Sequence, residues 1–508
     1  MRILLINPPY RAMTIHGMGP QVPLGLLAIA GPMIDAGHDV QLLNAEQPML
    51  GNAEIVQRVR AFRPDVIMTG HSGSTPAHPT VLRMLAAIKA AMRQVVSVYG
   101  GVYPSYHARR ILESSRQVDV IVRGEGEQVA VQLAAALAAG ETLATIAGIA
   151  YRSPDGSIVE TPPAPVIRDL NACRVAWELI DDWDAHQCWG LGRSAIIQFS
   201  RGCPHRCSYC GQRDFWVRWR HRDPGRVAQE IALLHRRHGV RFVTFADENP
   251  TTSSKHWQRF LEEMAAQSVP VALTAAMRAS DICRDADLLP LYKRAGFCAV
   301  LIGIETTEAT TIERVGKGSN RDVDREAIRL LRRNGIIAIA AHVAGLEDEG
   351  WGSRWRAFRG LLRYDPDLVN VMYATPHDWT RFGAETTHIE RVEPDMGRWD
   401  FRHQVLATTR LRAWQLFVAI KVSELALHTR PRFLWRMAFH PDAAIRRQLR
   451  WCFRNAAKVW LAEITDFRFT GAKRDCVPLG SLAARLRIEK STTKQATARQ
   501  EGRLGTGP

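Results

Sequence analysis

The chain has 508 residues and 46% hydrophobic residues, which allows two or three domains with sizeable cores. No run of about 18 uncharged apolar residues occurs, so the sequence argues against a membrane-spanning helix. The formal net charge is +16, and the segment from Phe401 onward supplies most of it, with 21 Lys or Arg against 7 Asp or Glu. The first residues, MRILLINPPYR, lack a small-residue cleavage site, so we interpret them as a β-strand and expect a cytoplasmic protein.

Residues 1–145 alternate short apolar runs with amphipathic segments, starting with the strand RILLIN and the helix PLGLLAIAGPMIDAG. This alternation predicts an α/β domain with a doubly wound parallel sheet. Loops rich in Gly and Ser follow three of the strands, at residues 70–75, 99–107 and 123–127. Ligands of such sheets bind outside the carboxyl ends of the strands. The sequence contains neither a P-loop nor a G-x-G-x-x-G motif, which argues against an ordinary nucleotide or dinucleotide site.

The remaining chain divides into four predicted parts. Residues 146–190 read as a linker that includes a hairpin with Asp155-Gly156 as its turn. Residues 191–400 alternate strands such as SAIIQFS and RFVTFADE with amphipathic helices, and this pattern predicts a partial (β/α) barrel. Residues 401–485 are predicted to form a basic helical C-terminal region, and residues 486–508 a disordered tail.

The basic C-terminal region also contains tryptophans, at Trp414, Trp435, Trp451 and Trp460. Basic residues interleaved with Trp suit an anionic membrane surface or an acidic partner. The same pattern would suit nucleic acid, although we expect no nucleic-acid partner. A solvated, Arg-rich helical surface is an equally simple interpretation.

Three of the nine cysteines, Cys203, Cys207 and Cys210, lie within eight positions in the stretch SRGCPHRCSYCGQRDFW. Zinc sites usually need four ligands, and no second cysteine pair lies nearby. Three thiolates in one loop can hold three irons of a [4Fe-4S] cluster and leave the fourth iron open for a substrate. The spacing C-x3-C-x2-C therefore predicts an iron–sulfur site at the top of the second α/β unit. We assign no role to the other six cysteines.

The segment RGCPHRCSYC resembles the cluster loop of radical S-adenosylmethionine enzymes, in which the open iron chelates the amino and carboxylate groups of the cofactor. The resemblance implies that Tyr209 packs near the adenine and that Asp247 and Glu248 contact the methionine amine. It implies a carboxylate contact for Arg278 and a ribose or carboxylate contact for Glu305. The stretch GLEDE near Gly345 resembles an adenine-contacting loop. For each single residue, a structural salt bridge is an alternative interpretation.

The N-terminal unit resembles the cobalamin-binding domain that precedes the radical domain in one large subfamily. The resemblance implies that the loops GHSGST and YGG wrap the cofactor, with the candidate contacts Ser72, Gly73, Ser74, Gly100 and Gly101. The D-x-H-x-x-G segment that supplies a cobalt-ligating His in some members is missing, and Pro8-Pro9 stands where it would begin. His16 lies in the wrong sequence context, so we expect no His ligand to cobalt from this loop. A domain that no longer binds a corrin is the alternative.

Residues 1 to about 460 together resemble the anaerobic oxidative cyclases of magnesium-protoporphyrin IX monomethyl ester. The most distinctive segment is CGQRDFWVRWRHRDP. The resemblance implies oxygen-independent formation of the fifth, isocyclic ring of bacteriochlorophyll, giving protochlorophyllide with a keto oxygen from water. It implies a [4Fe-4S] cluster, S-adenosylmethionine and cobalamin as cofactors. The alternatives are a cobalamin-dependent radical methyltransferase on another apolar substrate, and a tetrapyrrole-binding regulator without catalysis.

A magnesium porphyrin is flat, apolar and weakly anionic, so aromatic and Arg side chains suit it. The sequence offers these candidates near the cysteines and after the last barrel strand: Phe215, Trp216, Arg218, Trp219, Arg220, His377 and Trp379. Packing of a helix onto the barrel is an alternative role for the aromatic ones. An electron donor such as a flavodoxin or ferredoxin is expected, and the basic region suggests a peripheral position at the inner or photosynthetic membrane.

Overall fold

The computed structural model describes residues 1–10, 19–318 and 320–467. His16 and the predicted tail 486–508 lie outside the described residues. Within the described part, the chain forms two α/β units followed by three C-terminal helices. This architecture confirms the predicted fold class. No helix in these ranges is long and apolar enough to cross a bilayer.

The first unit is built on a seven-stranded sheet whose order is β2-β1-β3-β4-β5-β6-β7. Its strands are β1 (Arg2–Asn7), β2 (Asp39–Asn44), β3 (Val66–Thr69), β4 (Val96–Gly100), β5 (Val120–Val122), β6 (Ile149–Arg152) and β7 (Ile158–Glu160). Its helices are α1 (Leu24–Asp35), α2 (Asn52–Phe62), α3 (His78–Ala91), α4 (Val102–Tyr106), α5 (Ala108–Ser114) and α6 (Glu127–Ala139). The first five strands are parallel, and apolar cores cover both faces of the sheet.

The hairpin β6–β7 extends this sheet beyond the predicted domain end at residue 145. β6 pairs antiparallel with β5, and β7 pairs antiparallel with β6. The turn contains Gly156 with φ +87°, a value that favours glycine, at the Asp155-Gly156 position predicted from the sequence. The first part of the predicted linker is therefore the antiparallel edge of the first sheet.

The second unit is a partial barrel of six parallel strands in sequential order. Its strands are β8 (Ser194–Ile197), β11 (Phe242–Phe245), β12 (Ala272–Met277), β13 (Phe297–Glu305), β14 (Ile337–Ala344) and β15 (Leu368–Tyr373), with a separate ribbon of β9 (Ser200–Arg201) and β10 (Arg220–His221). Its helices are α7 (Pro224–His238), α8 (Ser254–Gln267), α9 (Ala279–Arg284), α10 (Leu289–Arg294), α11 (Ala309–Arg314), α12 (Arg321–Arg333), α13 (Trp351–Tyr364) and α14 (Arg381–Glu385).

The C-terminal helices α15 (Ala413–Thr429), α16 (Pro431–Phe439) and α17 (Ala443–Asp466) complete the described chain. Phe433, Ile445 and Leu449 from α16 and α17 pack against Phe242 and Ile337, which begin two barrel strands. These two helices therefore close the amino-terminal end of the barrel. The opposite, carboxyl end of the strands is left for the cysteine loop and the first domain.

Candidate cofactor and substrate site

The loops predicted to bind cobalamin lie side by side at the carboxyl edge of the first sheet. A Cβ atom added to Gly70 would lie 2.8 Å from the Gly100 carbonyl oxygen, so the loops after β3 and β4 touch. Ser74 has φ +40°, and its hydroxyl accepts a 2.6 Å hydrogen bond from the Tyr103 N–H. The strand order reverses between β1 and β3, which is where doubly wound sheets bind their ligands. This arrangement fits a cofactor at the predicted edge.

His71 in the same loop is not a free metal ligand in this structure. Its Nδ1 accepts a 2.8 Å hydrogen bond from the Gly73 N–H, and its Nε2 lies 3.6 Å from a carboxylate oxygen of Glu46. The ring is also in edge contact with Tyr10 at 5.4 Å between centroids. The described part of the first domain thus agrees with a cobalamin site that takes no cobalt ligand from this histidine.

The ribbon β9–β10 closes the cysteine loop at its base. Gly202 precedes Cys203 with φ +85°, and a Cβ atom there would lie 2.5 Å from the Arg218 carbonyl oxygen. Only glycine fits this close approach of the two ends of the loop. The glycine between Arg201 and Cys203 is therefore required because a larger residue would clash with the Arg218 carbonyl group.

The three thiols share one partly buried environment. Burial raises the pKa of Cys203 above its ordinary value and raises the pKa of Cys210 to about 11, with the charges of the neighbouring cysteines adding to both. Such thiols are protonated until a metal supplies positive charge, since a coordinating thiol is deprotonated by the ion. Within the described residues no three Cys, His, Asp or Glu side chains converge enough to hold a single metal ion. A cluster that gives each thiolate its own iron does not need that convergence.

Two acidic residues after β11 fix the backbone that leads into the cysteine loop. Asp247 is buried, and one of its oxygens accepts from the Phe199 N–H at 3.0 Å. The other oxygen accepts from the Ser200 hydroxyl at 2.6 Å and from the Ser200 N–H. Burial raises the pKa of Asp247 to about 7, against the effect of these donors. Glu248 accepts from the Gly202 N–H at 3.1 Å, and burial raises its pKa. The oxygens of Asp247 are thus engaged in holding the backbone before the cysteine loop, and its predicted cofactor contact stays a prediction.

Arg278, Glu305 and Lys317 gather beside the cysteine loop at the ends of β12 and β13. Arg278 Nη1 lies 3.9 Å from the Cys207 Sγ, and its buried Nε has no hydrogen-bond partner among the described residues. Glu305 has φ +55° and accepts from Lys317 Nζ at 3.0 Å. An unpaired guanidinium nitrogen next to a cluster thiol fits the predicted pairing with a carboxylate of the cofactor.

Tyr209 and the GLEDE loop are the two remaining predicted contacts of S-adenosylmethionine. Burial and the charge of Glu305 raise the pKa of Tyr209, so its hydroxyl stays neutral. In the GLEDE loop, Glu349 accepts from the Gly345 N–H and forms a buried ion pair with Arg354. The loop is therefore held by its own carboxylate, and its predicted adenine contact stays a prediction.

Two carboxylates of the first domain bind the arginines at both ends of the cysteine loop. Glu125 pairs with Arg220, with Nη1 and a carboxylate oxygen 3.1 Å apart, and Glu127 pairs with Arg201. All four side chains are at least nine-tenths buried. Arg220 also donates to the Ile167 carbonyl oxygen. A substrate contact is the prediction for Arg220, but its guanidinium donors bind Glu125 and backbone carbonyl oxygens, so this structure favours a role in joining the two domains.

Trp379 joins the cysteine loop to the first domain on the other side. Its ring stacks on Tyr106, and its Nε1 donates a 3.0 Å hydrogen bond to the Gly211 carbonyl oxygen. His377 stacks on Trp379 at 4.7 Å, and its Nδ1 lies 3.4 Å from the Thr75 hydroxyl. Burial lowers the pKa of His377 to about 4, so the ring is neutral at physiological pH. The aromatic candidates after β15 thus line the boundary between the two domains.

The other aromatic candidates lie on the cysteine loop itself. Trp216 lies under the guanidinium of Arg201 at 5.0 Å, and Trp219 packs against His221 at 5.2 Å. Phe215 meets Trp216 edge-on at 4.8 Å. These contacts support the loop, which agrees with the packing role considered for them. Nothing in these contacts places them against a substrate.

Sequence reasoning missed Glu125, Glu127 and Lys317. The loop 123–127 was identified only as Gly-rich, although two Glu directly after a buried strand signal an ionic contact at the carboxyl edge of the sheet. Lys317 carried no signal, since it contacts the Gly303 carbonyl oxygen and Glu305 through space, 14 and 12 positions away. Each of the three bears on how the cysteine loop is held.

Two family comparisons agree with this geometry. Residues 10–134 match the B12 binding domain, and residues 197–359 match the Radical SAM superfamily. These two domains confirm cobalamin, S-adenosylmethionine and a [4Fe-4S] cluster as the cofactors of the chain. Cys203, Cys207 and Cys210 lie at the start of the second match, directly after β8.

The solved structures with this architecture include two cobalamin-dependent radical enzymes. The radical S-adenosylmethionine methyltransferase TsrM from Kitasatospora setae, with cobalamin and a [4Fe-4S] cluster bound, covers 90% of this chain and 100% of its own, with TM-score 0.66 and 17% identity. OxsB, with aqua-cobalamin and S-adenosylmethionine bound, covers 96% of this chain and 75% of its own, with TM-score 0.67 and 15% identity. At these identities the similarity concerns the fold.

Relatives with higher identity share one description. The chain is 46% identical over 470 residues to the anaerobic magnesium-protoporphyrin IX monomethyl ester cyclase of Synechocystis sp., covering 92% of this chain and 94% of the relative. It is 33% identical to the protein of the same description from Rubrivivax gelatinosus, covering 74% of this chain and 68% of the relative. The chain therefore belongs to the family of anaerobic magnesium-protoporphyrin IX monomethyl ester cyclases, as a radical SAM enzyme with an N-terminal B12-binding domain.

Proposed function

We propose that this chain forms the isocyclic ring of bacteriochlorophyll without dioxygen, by converting magnesium-protoporphyrin IX 13-monomethyl ester to protochlorophyllide. The observation that carries the proposal is the 46% identity, along 92% of the chain, to a cyclase of that description. The reaction adds one oxygen to the methyl-propionate side chain, removes four hydrogens net from the porphyrin and closes a bond to the meso carbon. We propose that water supplies the oxygen, so that six electrons and six protons leave the porphyrin and water together. S-adenosylmethionine would be the acceptor, at two electrons for each molecule cleaved to methionine and 5′-deoxyadenosine.

Cys203, Cys207 and Cys210 would hold the cluster, and the loops after β3 and β4 would hold cobalamin. When bound, the cluster and S-adenosylmethionine supply a 5′-deoxyadenosyl radical that can remove a hydrogen from an unactivated carbon. The chain's own part is positioning: Arg278 offers an unpaired buried nitrogen to a carboxylate beside Cys207. Ser72, Gly73, Ser74, Gly100 and Gly101 line the edge that would face the corrin.

The boundary between the domains would exclude water from the reacting carbon. The stacked rings of Tyr106, Trp379 and His377 form an apolar layer beside the cysteine loop. Burial keeps His377 neutral, so its ring can donate or accept a hydrogen bond without placing a charge in this layer. An aromatic layer of this kind suits the face of a flat porphyrin.

The proposal is tested by anaerobic reconstitution of the full chain with iron, sulfide and cobalamin, followed by mass analysis of the porphyrin product. Ring closure adds one oxygen and removes four hydrogens, whereas methyl transfer adds one carbon and two hydrogens. Reaction in ¹⁸O-labelled water should place the label in the keto group. A methylated porphyrin would contradict the cyclase proposal and support a methyltransferase. Unlabelled keto oxygen would contradict only the source of the oxygen.

We also propose two partners. A flavodoxin or ferredoxin would deliver the electrons that reduce the cluster, tested by cofactor cleavage with each reduced protein. An anionic membrane surface would attract the basic C-terminal region, where Arg446, Arg447, Arg450 and Arg454 surround Trp451 on α17. Each basic residue near such a surface contributes about 1 kcal/mol, and salt screens it within about 8–10 Å. The chain should pellet with anionic liposomes at low salt and be released near ~0.5 M salt.

A further inference from the structure

Helix α15 exposes apolar side chains along one face. Val418, Val422 and Leu425 are 44%, 59% and 52% exposed. Their spacing of four and three residues places them on one stripe of an α-helix. In a surface helix, the apolar stripe normally packs against the protein core. The stripe on α15 is exposed to solvent instead.

The charged residues of the same helix are buried instead. α15 contains two charged residues, Lys421 and Glu424, whose side chains lie 2.6 Å apart. Lys421 Nζ also pairs with Glu463 of α17. The exposed face of α15 therefore carries no charge, and the helix has the polarity opposite to that of an ordinary surface helix. This inverted arrangement, supported by a buried ionic cluster, marks a contact surface.

The neighbouring helix α13 continues this surface. α13 packs against α15, and its Trp351 and Trp355, one turn apart, are 56% and 59% exposed. α13 contains no Asp or Glu, and its Arg356, Arg359 and Arg363 are exposed. We call the exposed apolar residues of the two helices, together with these three arginines, the α13–α15 face.

Two acidic residues at the border of this face are paired with arginines, and a third, Glu347, lies 3.3 Å from the Nε2 of His388. Glu308 pairs with Arg356 at 2.9 Å, and Asp348 pairs with Arg314 at 3.5 Å. Arg410 and Arg412, just before α15, are exposed. The face therefore combines uncharged apolar residues, tryptophans near its edge and a positive border.

We propose that the α13–α15 face docks onto an anionic lipid bilayer and lies in its interfacial plane. This deepens the membrane partner given above and rests on it. Tryptophans favour the level of the lipid headgroups, and arginines at the border pair with anionic ones. The apolar stripe contributes a part of the membrane affinity that salt does not screen. Salt does screen the attraction of the basic C-terminal region.

Charge decides between the bilayer and other occupants. The segment 468–508 contains nine Lys or Arg and three Asp or Glu, so it would meet the arginine border with the same sign. A second copy of the chain would bring an equally basic C-terminal region. An anionic lipid surface is the occupant whose charge is complementary to the border.

The position of the face connects it to the site. The Thr409 N–H donates a 2.8 Å hydrogen bond to the Glu347 carbonyl oxygen, which lies in the loop after β14 at the cofactor end of the barrel. α13 and α15 both begin next to that loop, at Trp351 and Ala413. Docking on this face would therefore hold the cofactor end of the barrel close to the bilayer, where an apolar porphyrin partitions.

The test measures partitioning of the full chain to vesicles of phosphatidylglycerol and phosphatidylcholine at 0.3 M salt or thereabouts, where the tail is largely screened. The variant Val422→Ser/Leu425→Ser should partition at least tenfold more weakly than the parent. Leu233→Ser is the matched control, because Leu233 is 43% exposed on α7 at the opposite edge of the barrel, and it should partition as the parent does. Circular dichroism and cobalamin binding check that each variant is folded.

Equal partitioning of parent and double variant would overturn the proposal. So would a parent that is a dimer and a double variant that is a monomer, since the face would then join two copies. Binding that appears only after deletion of residues 468–508 would assign the face to that segment. Cyclase activity on detergent-solubilised porphyrin should be equal in parent and double variant. A parent without that activity would refute the proposed function, and the vesicle result would still decide the face.

Discussion

Trp379, in the segment after the last barrel strand, stacks on Tyr106 of the first domain with ring centroids 5.1 Å apart and planes at 7°. The same indole donates a hydrogen bond to the Gly211 carbonyl oxygen in the cysteine loop. One side chain thus contacts the B12-binding domain, the cysteine loop and the end of the barrel. We therefore expect the spacing of the two proposed cofactor sites to depend on this contact.

Replacing Trp379 by Ala should lower the cyclase rate by tenfold or more, because the cysteine loop loses its support against the first domain. Iron content and cobalamin content should stay near those of the parent. Trp379→Phe keeps the ring without the N–H donor and should retain an intermediate rate. A Trp379→Ala enzyme with the parent rate would show that the contact does not position the cofactors.

Replacing Cys203 by Ala should abolish both cleavage of S-adenosylmethionine and ring formation, because the cluster loses one of its three ligands. Iron counting and assay of 5′-deoxyadenosine after anaerobic purification measure the effect. Cys283→Ala is the matched control, since Cys283 lies on α9 and donates to the Val323 carbonyl oxygen instead. Full activity of the Cys203 variant would show that this loop does not hold the cluster.

Breaking the buried pair Glu125–Arg220 should destabilise the chain. Arg220→Met leaves the Glu125 charge short of its main partner, which costs about 3 kcal/mol of unfolding free energy, the lower end for buried pairs because Arg201 remains 3.5 Å away. Adding Glu125→Gln removes that charge and should restore part of the loss. Denaturant unfolding of the two variants measures it, and a double variant less stable than Arg220→Met would contradict the explanation.

His403 should make stability depend on pH. Burial lowers its pKa, but hydrogen bonds to Asp400 at 2.8 Å and Asp466 at 3.1 Å outweigh this and raise the pKa to about 9. The folded state therefore binds the proton more tightly than the unfolded chain, whose value is about 6.5. The contribution, at most about 3 kcal/mol, is complete below pH ~6.5 and is lost as the pH rises through ~9.

Thermal unfolding between pH 6 and 10 tests this, with His403→Gln as the comparison. The parent should lose stability faster than the variant over that range, because only the parent has the imidazolium between the two carboxylates. Parallel curves would mean that His403 does not carry the proton. Since Asp466 ends α17, the loss should begin at the C-terminal helices.

Cobalamin bound to the first domain should show no histidine ligand to cobalt. In the His71→Ala variant the electron paramagnetic resonance signal of the cob(II)alamin form should keep the shape of the parent signal, because both ring nitrogens already face other groups. His16→Ala should behave in the same way. Loss of nitrogen hyperfine structure in either variant would identify that residue as a ligand.

Much of the fold follows from local sequence patterns. The strands RILLIN and SAIIQFS and the helix PLGLLAIAGPMIDAG form at their predicted positions, because apolar spacing determines which face each element buries. The short helices α4 and α5 were missed, since seven or fewer residues carry too few positions to show a period. The hairpin β6–β7 was found, but its pairing with β5 depends on distant residues.

The site was predictable where spacing alone defines it. The spacing of the three cysteines predicts a cluster site, and this stays a prediction, whereas no local pattern predicts the partner of a charged residue. Arg220 is a candidate substrate contact, and in the structure it binds Glu125, 95 positions away. Asp247 is a candidate cofactor contact with a structural role as the alternative, and its oxygens accept hydrogen bonds from Phe199 and Ser200. Contacts between distant segments require the two domains to be placed together first.

The Glu125–Arg220 and Glu127–Arg201 pairs have a consequence for how the chain folds during synthesis. Glu127 is synthesised 74 residues before Arg201, and Glu125 is synthesised 95 residues before Arg220. The two carboxylates therefore meet water until the barrel follows. The nascent N-terminal unit is thus complete in its own core but not at its cofactor edge. We therefore expect cobalamin to be enclosed only after the second unit has arrived.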